Sequence, residues 1–253
     1  MKIHLSITYY FMRKFFLAMA AVIFSLSLFA QNNTTTGKKK QTIDLSNRAN
    51  DHFMIQLGDV GWFGRPDTIN VKGLSKSINV YLMYDFPFKT NPHYSVAVGA
   101  GIGSDNMFFN KTYVGIKDIT PSIDFTNQTD TTHFKKSKLS TNYIEAPVEL
   151  RYAFDPQHND KSFKIALGVK IGALINAHTR SKTLQSSAGS TVNNYVEKEA
   201  SKRFFNGDRL LVTARVSWGH FGLYYSYQLG TLFKNLMGPA VHPYTFGIAL
   251  SGL

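Results

Sequence analysis

The chain has no cysteine among its 253 residues. Disulfides, thiolate metal sites, cysteine nucleophiles and an amino terminus lipidated on cysteine are therefore excluded. Charge is thin, at 17% Asp, Glu, Lys and Arg, and acid is the scarcer sign, 16 residues against 28 basic ones. The formal charge of +12 would suit nucleic-acid binding. The Lys and Arg are spread over separate segments, however, and form no helical stripe. A basic surface can equally meet phosphorylated lipid at a membrane, and nucleic acid is not expected as a partner. Beyond residue 50 no run is apolar enough for a membrane-spanning helix. What the chain has in quantity is aromatic residues, 20 Phe and 13 Tyr, and both favour strands.

The first 30 residues read as an export signal. Lys2, Arg13 and Lys14 precede the apolar run Phe15 to Phe29, and Ala30 precedes the polar QNNTTTGKKK. A basic start, a short apolar core and a small residue at the cut describe a secretory signal. The run is short for a span of about 20 residues. Cleavage after Ala30 removes three positive charges and no negative ones, which takes the balance from +12 to +9. Residues 31–50, with Lys38, Lys39 and Lys40 in a row, are too polar to bury and are expected to form a flexible periplasmic tail. Residues 51–253 remain as the folded domain.

That domain alternates with period two, the signature of half-buried strands. Strands are predicted over Phe53 to Trp62, Lys76 to Phe88, His93 to Phe108, Ser140 to Phe154, Ser162 to Asn176, Asp208 to Trp218, Phe221 to Leu229 and Tyr244 to the carboxyl end. In the second, Ile78, Val80, Leu82, Tyr84 and Phe86 share one face, and Ser77, Asn79, Tyr81, Met83 and Asp85 the other. The first is weaker. Its phase is expected to slip near Gly58, since Asp59 would otherwise join the face of Ile55 and Leu57.

A soluble sandwich alternates too, but three features favour a membrane barrel. One face of each strand is apolar, while the other carries small or charged residues and no apolar core. Glu145, Glu149, Arg151, Lys164, Lys170 and Arg215 stand where a sandwich would need Val or Leu. The strand count is even. Connections alternate between short (Pro87 to Pro92, Asp155 to Lys161, Gly219-His220) and long (Phe63 to Ser75, Phe109 to Leu139, Ala177 to Gly207, Gly230 to Pro243). Periplasmic turns and outer loops alternate in this way when both termini are periplasmic. In that orientation Phe86, Tyr94, Tyr152, Phe154, Phe163, Trp218 and Phe221 ring the periplasmic end of the lipid face, and Phe108, Tyr227 and Tyr244 mark the outer end, as aromatic girdles do. The predicted fold is all-β: an eight-stranded antiparallel transmembrane β-barrel.

The segments YIEAPVELRY (Tyr143 to Tyr152) and FGLYYSYQLG (Phe221 to Gly230), with the closing alternating strand, resemble the PorT-like outer-membrane β-barrel proteins of Bacteroidota. The resemblance spans about residues 50 to 253. It implies an outer-membrane location, contact with lipid and lipopolysaccharide, and insertion by the barrel-assembly machinery. One branch of that group is associated with the type 9 secretion system, so secretion-system proteins are implied partners. The last strand ends in Leu253, where an aromatic is common. Asp67-Thr68-Ile69 and Asp130-Thr131-Thr132 resemble the short O-glycosylation acceptor of these bacteria.

No residue set makes a convincing enzyme. Gly99, Gly101 and Gly103 are spaced like a dinucleotide loop, but they alternate on the inward face of a strand with no helix behind them. His52, His93, His133, His158, His178, His220 and His242 have no i, i+4 partner for a helical metal site. His220 and Ser226 share a strand, as in barrel lipid hydrolases, but His220 belongs at the periplasmic end. Glu145 and Glu149 suit acid–base work less well than a structural role. With Arg151, Lys164, Lys170, Arg215 and Asp85 they are expected to fill the lumen as a charge network, Glu145 beside Lys170 and Arg151 near Lys164. No catalytic residue, cofactor or metal is expected. The function expected is a non-enzymatic structural or interaction component. A small-solute porin is the alternative, and a lipid-modifying enzyme is the third reading.

Overall fold

The computed structural model describes residues 53–158 and 160–252. The expected signal and tail lie outside the described residues. Among the described residues eleven strands follow one another: β1 (Phe53–Phe63), β2 (Lys76–Pro87), β3 (Tyr94–Phe109), β4 (Thr112–Gly115), β5 (Asp124–Asn127), β6 (His133–Ala153), β7 (Phe163–Gln185), β8 (Thr191–Ala200), β9 (Asp208–Trp218), β10 (Phe221–Gln228) and β11 (His242–Ser251). Eight close into an antiparallel ring in the order β1, β2, β3, β6, β7, β9, β10, β11, with β11 paired back to β1. These are the eight strands the alternation predicts. β8 adds to β7 beyond the ring, and β4 with β5 forms a separate hairpin.

Closure follows from the two-sided pattern. On β2, Ile78, Val80 and Leu82 face outward and remain exposed, while Ser77, Asn79, Tyr81 and Met83 are buried inside. A sheet with an apolar exterior has nothing soluble to pack against, and closing it removes its unpaired edges. Stepping across the ring from Phe53 through Leu82, Ala100, Ala146, Ile171, Leu210 and Leu229 reaches His242, whose partner on β1 is Phe63. The return point is 10 residues along the strand, a stagger that in eight strands tilts them by roughly 40° and leaves a lumen that side chains fill.

One end of the ring has short turns. The tightest is Gly219-His220, where Gly219 takes φ 56° and its amide donates to the Ser162 carbonyl at 3.0 Å. Around this end the rings of Tyr94, Tyr152, Phe154 and Phe163 touch in series at 5.0, 5.1 and 5.3 Å. Trp218 and Phe221 continue the belt as register partners. At the other end Phe63 sits 5.9 Å from Tyr244 and 6.5 Å from Tyr227.

Three details differ from the expectation. β1 runs through Gly58 without a slip, so Asp59 does share the outward face of Ile55 and Leu57. Its register partner on β2 is Lys76, an opposite charge at the long-loop end, where water reaches both. β6 and β7 extend well past their expected limits and carry β8 as a third strand, inside what the sequence presents as long loops. Ladder growth explains this: once β6 and β7 pair, polar Thr and Ser side chains do not oppose further pairing in water. β7 also carries a bulge at Ile175, because Tyr143 pairs with Leu174 while Asn142 pairs with Asn176. One extra residue there shifts the facing of every residue beyond it.

Candidate functional site

The lumen is where the strands converge their polar side chains. The structure places Asp85, Glu145, Glu149, Arg151, Lys164, Lys170 and Arg215 inside the ring, and all are buried there except the backbone end of Asp85. They fall in two layers. Nearer the short turns, Glu149 Oε2 accepts from Arg215 Nη2 at 2.8 Å and from Arg151 Nε at 2.9 Å, and Arg151 Nη1 lies 3.7 Å from Asp85 Oδ1. Lys164 is buried at the same end. Nearer the long loops, Tyr81 donates to Glu145 Oε2, and Lys170 Nζ donates to the Tyr81 hydroxyl at 3.0 Å and to Gln56 Oε1 at 3.2 Å.

The hairpin register corrects two expected neighbours. Glu145 pairs with Gly172, not Lys170, and Arg151 pairs with Ala166, not Lys164. The turn between β6 and β7 is two residues longer than a fold about 157 and 158 allows. Glu145 and Lys170 therefore meet through the Tyr81 hydroxyl. The direct partner of Glu145 is Arg209, whose Nε donates to Glu145 Oε1 at 2.8 Å and whose Nη1 donates to Asp105 Oδ2 at 2.6 Å. Its guanidinium also stacks 3.7 Å over the Tyr143 ring. Arg209 and Asp105 are readable as inward residues from alternation, but their meeting requires knowing which strands face each other across the ring.

The inward glycines make room for this. A Cβ on Gly101 would come within 2.5 Å of the Tyr81 ring, and one on Gly103 within 2.8 Å of Glu145 Oε2 and 2.9 Å of Arg209 Nη2. A small stripe on β3 thus takes the bulk of the facing strands.

Above the charges the inward face becomes apolar, contrary to the expectation of no apolar core. Met107, Phe109, Leu139 and Leu174 from the strands pack with Ile69, Ile116, Ile123, Phe205 and Phe233 from the long connections. Trp62 touches Phe109, Phe125 and Phe233 edge-on at 5.8, 6.3 and 5.9 Å. Backbone bonds tie the connections together, among them Ile123 N to Met237 O at 2.9 Å and a bridge between Phe205 and Phe233. All four long connections contribute to this plug. Between plug and charges remains a void of about 10 Å³ lined by Trp62, Asp105, Leu139 and Leu232, room for about one water.

Residues 29–234 match the family model of the outer membrane protein beta-barrel domain. The chain belongs to that family. The apolar exterior of this outer-membrane barrel accordingly faces lipid. No curated protein matches the chain. Among solved structures it is similar to the crystal structure of Ail, the attachment invasion locus protein of Yersinia pestis, at 12% identity and a TM-score of 0.35, over 79% of this chain and 94% of that one.

On the lipid face, Val98 and Val169 sit mid-strand and point outward. Val98→Arg or Val169→Arg should each cost the outer-membrane barrel about 2–4 kcal/mol, the penalty for Arg at the bilayer midplane. Folding yield into lipid vesicles checks this, with the exposed Ile119→Arg as control. Equal yields for all three would remove the assignment of that face. Ser95, by contrast, is buried inside beside Arg151, so an Arg there would overfill the lumen and add charge to it.

Proposed function

We propose that this protein is a closed, non-enzymatic component of the outer membrane. In this reading residues 1–30 are an export signal and 31–50 a periplasmic tail, both termini are periplasmic, and the long loops stand on the outer surface. The protein acts as a structural or interaction partner through its surfaces and not through its lumen. The observation that carries this is the doubly filled interior: two layers of buried ion pairs beneath an apolar plug drawn from all four long connections. A solute path would have to break both. Insertion by the barrel-assembly machinery and contact with lipid and lipopolysaccharide follow from the location. The resemblance to PorT-like proteins adds a finer reading, a link to type 9 protein secretion, which comparison of exported proteins with and without the gene tests.

The purified protein in planar bilayers should show no steady conductance. Large stable channels in the wild type would overturn the closed reading and favour a small-solute porin.

A further inference from the structure

Beyond the point where β9 stops pairing with β7, at Ala173, the sheet of β6, β7 and β8 continues past the ring. On its outward face basic residues stand directly opposite one another. Lys138 on β6 pairs with Arg180 on β7, which pairs with Lys198 on β8, and one step further Lys136 pairs with Lys182. Like charges directly across antiparallel strands repel. Nothing acidic on this face relieves them: Glu197 and Glu199 on β8 pair with Ser181 and Thr179, whose side chains take the opposite face. Among the described residues none of the five basic groups forms an ion pair. Lys138 has only Asn106 Oδ1 at 2.6 Å and the Phe108 ring at 6.0 Å. Burial, then Arg180 and Lys198, lower its pKa. Burial, then Lys198, Lys138 and Arg180, do the same to His178. A surface so arranged gains by taking an anion.

Two clefts show where. One of about 140 Å³ is lined by Phe108, Lys136, Lys138, Arg180 and Lys182. The other, of about 320 Å³, shares Phe108 and Lys136 and adds Lys72, Lys76 and the exposed Leu74. On the same two strands, β3 and β6, the paired outward side chains of Ile102 and Ile144 are exposed on the lipid face. The face is thus basic above and apolar below, with Phe108 between two basic clefts.

We propose that this face is a docking site for a phosphorylated glycolipid of the outer leaflet, its phosphate groups in the clefts and its acyl chains along β3 and β6. The proposal rests on the reading that the long loops stand on the outer surface.

The test uses the full mature protein, folded in mild detergent, with lipid A as probe and native mass spectrometry to count bound lipid. Wild type should retain lipid A. K138Q/R180Q/K182Q should lose retention on the order of 100-fold, from about 1 kcal/mol per basic residue near an anionic surface. Heat-dependent gel mobility shows whether the variant is folded. If it is not, wild type with enzymatically dephosphorylated lipid A decides, and should show the same loss. Retention by the folded variant equal to wild type, or of dephosphorylated lipid A equal to intact lipid A, overturns the site. Millimolar inorganic phosphate should fail to displace the lipid; full displacement would mean a free-phosphate site and overturn the lipid docking. A Thr131→Cys variant, unique in a chain without cysteine, separates the orientation from the site. Labelling in intact cells by an impermeant maleimide supports the outer placement, and labelling only after lysis overturns that placement and the docking with it.

Discussion

Glu149→Leu should be the most damaging single substitution inside the barrel. Glu149 is buried and its Oε2 holds Arg215 and Arg151 at once, at 2.8 and 2.9 Å. Removing it leaves two guanidinium groups in a water-poor lumen with Asp85, 3.7 Å from Arg151, as a remaining acid. Breaking a buried pair by deleting one partner costs about 3–5 kcal/mol, because the remaining charge stays desolvated. Two stranded charges place this variant at the upper end. The measurement is the urea midpoint of the barrel in lipid vesicles, followed by heat-dependent gel mobility. Glu149→Leu combined with Arg215→Met should recover part of the loss, since the double variant keeps the Arg151–Asp85 pair and removes the other charge. A single variant with the wild-type midpoint would mean that Glu149 is hydrated, and the filled-lumen argument would fall with it.

The second large effect concerns the plug. Phe205 and Phe233 are fully buried, their ring centroids 5.2 Å apart, and their backbones form a bridge. Phe205→Ala with Phe233→Ala removes two rings from one cluster, at about 3–5 kcal/mol for each Phe→Ala in a core. The lipid-embedded ring does not depend on these contacts, so the loss should appear as local opening. Lys202, Arg203 and Lys234 flank the plug and are trypsin sites. Cleavage there should rise at least about 100-fold, the equivalent of roughly 3 kcal/mol of easier opening, while heat-dependent mobility stays as in wild type. Conductance should stay absent, because the ion-pair layers below are intact. Loss of the folded ring would show that plug and barrel fold as one unit.

Much of this was legible in the sequence, because a membrane barrel writes its two environments into alternate residues. Ile78, Val80 and Leu82 against Ser77, Asn79 and Tyr81 set both the strand and its facing. The aromatic series from Tyr94 to Phe163 and the alternation of short and long connections placed the strands in a ring. The lumen charges were readable one strand at a time. What was not readable was anything that depends on strands meeting across the ring. Arg209 and Asp105 are far apart in the chain, and only the stagger of the closed sheet brings them together. The plug was missed for another reason. Phe204-Phe205 and Leu232-Phe233 lie in long connections without periodicity, so no pattern marks them as core; adjacent large apolar residues inside otherwise polar connections are the available signal. Asp59 breaks the apolar face because it stands near the rim opposite Lys76, a partner that alternation within β1 alone does not show.

The bulge at Ile175 gives the outer half of β7 its own reading frame. Below it even-numbered residues point inward, as Lys164 and Lys170 do; above it odd-numbered ones do, as Ala177 and Thr179 do. Were the same sequence to run on without the bulge, Arg180 and Lys182 would turn to the face of Ser137 and Leu139, leaving Lys136 and Lys138 alone on the other side. Loss of the codon for Ile175 would remove the bulge and leave Arg180 opposite Lys138, so the bulge is the means by which a strand one residue too long keeps its basic side chains on one surface.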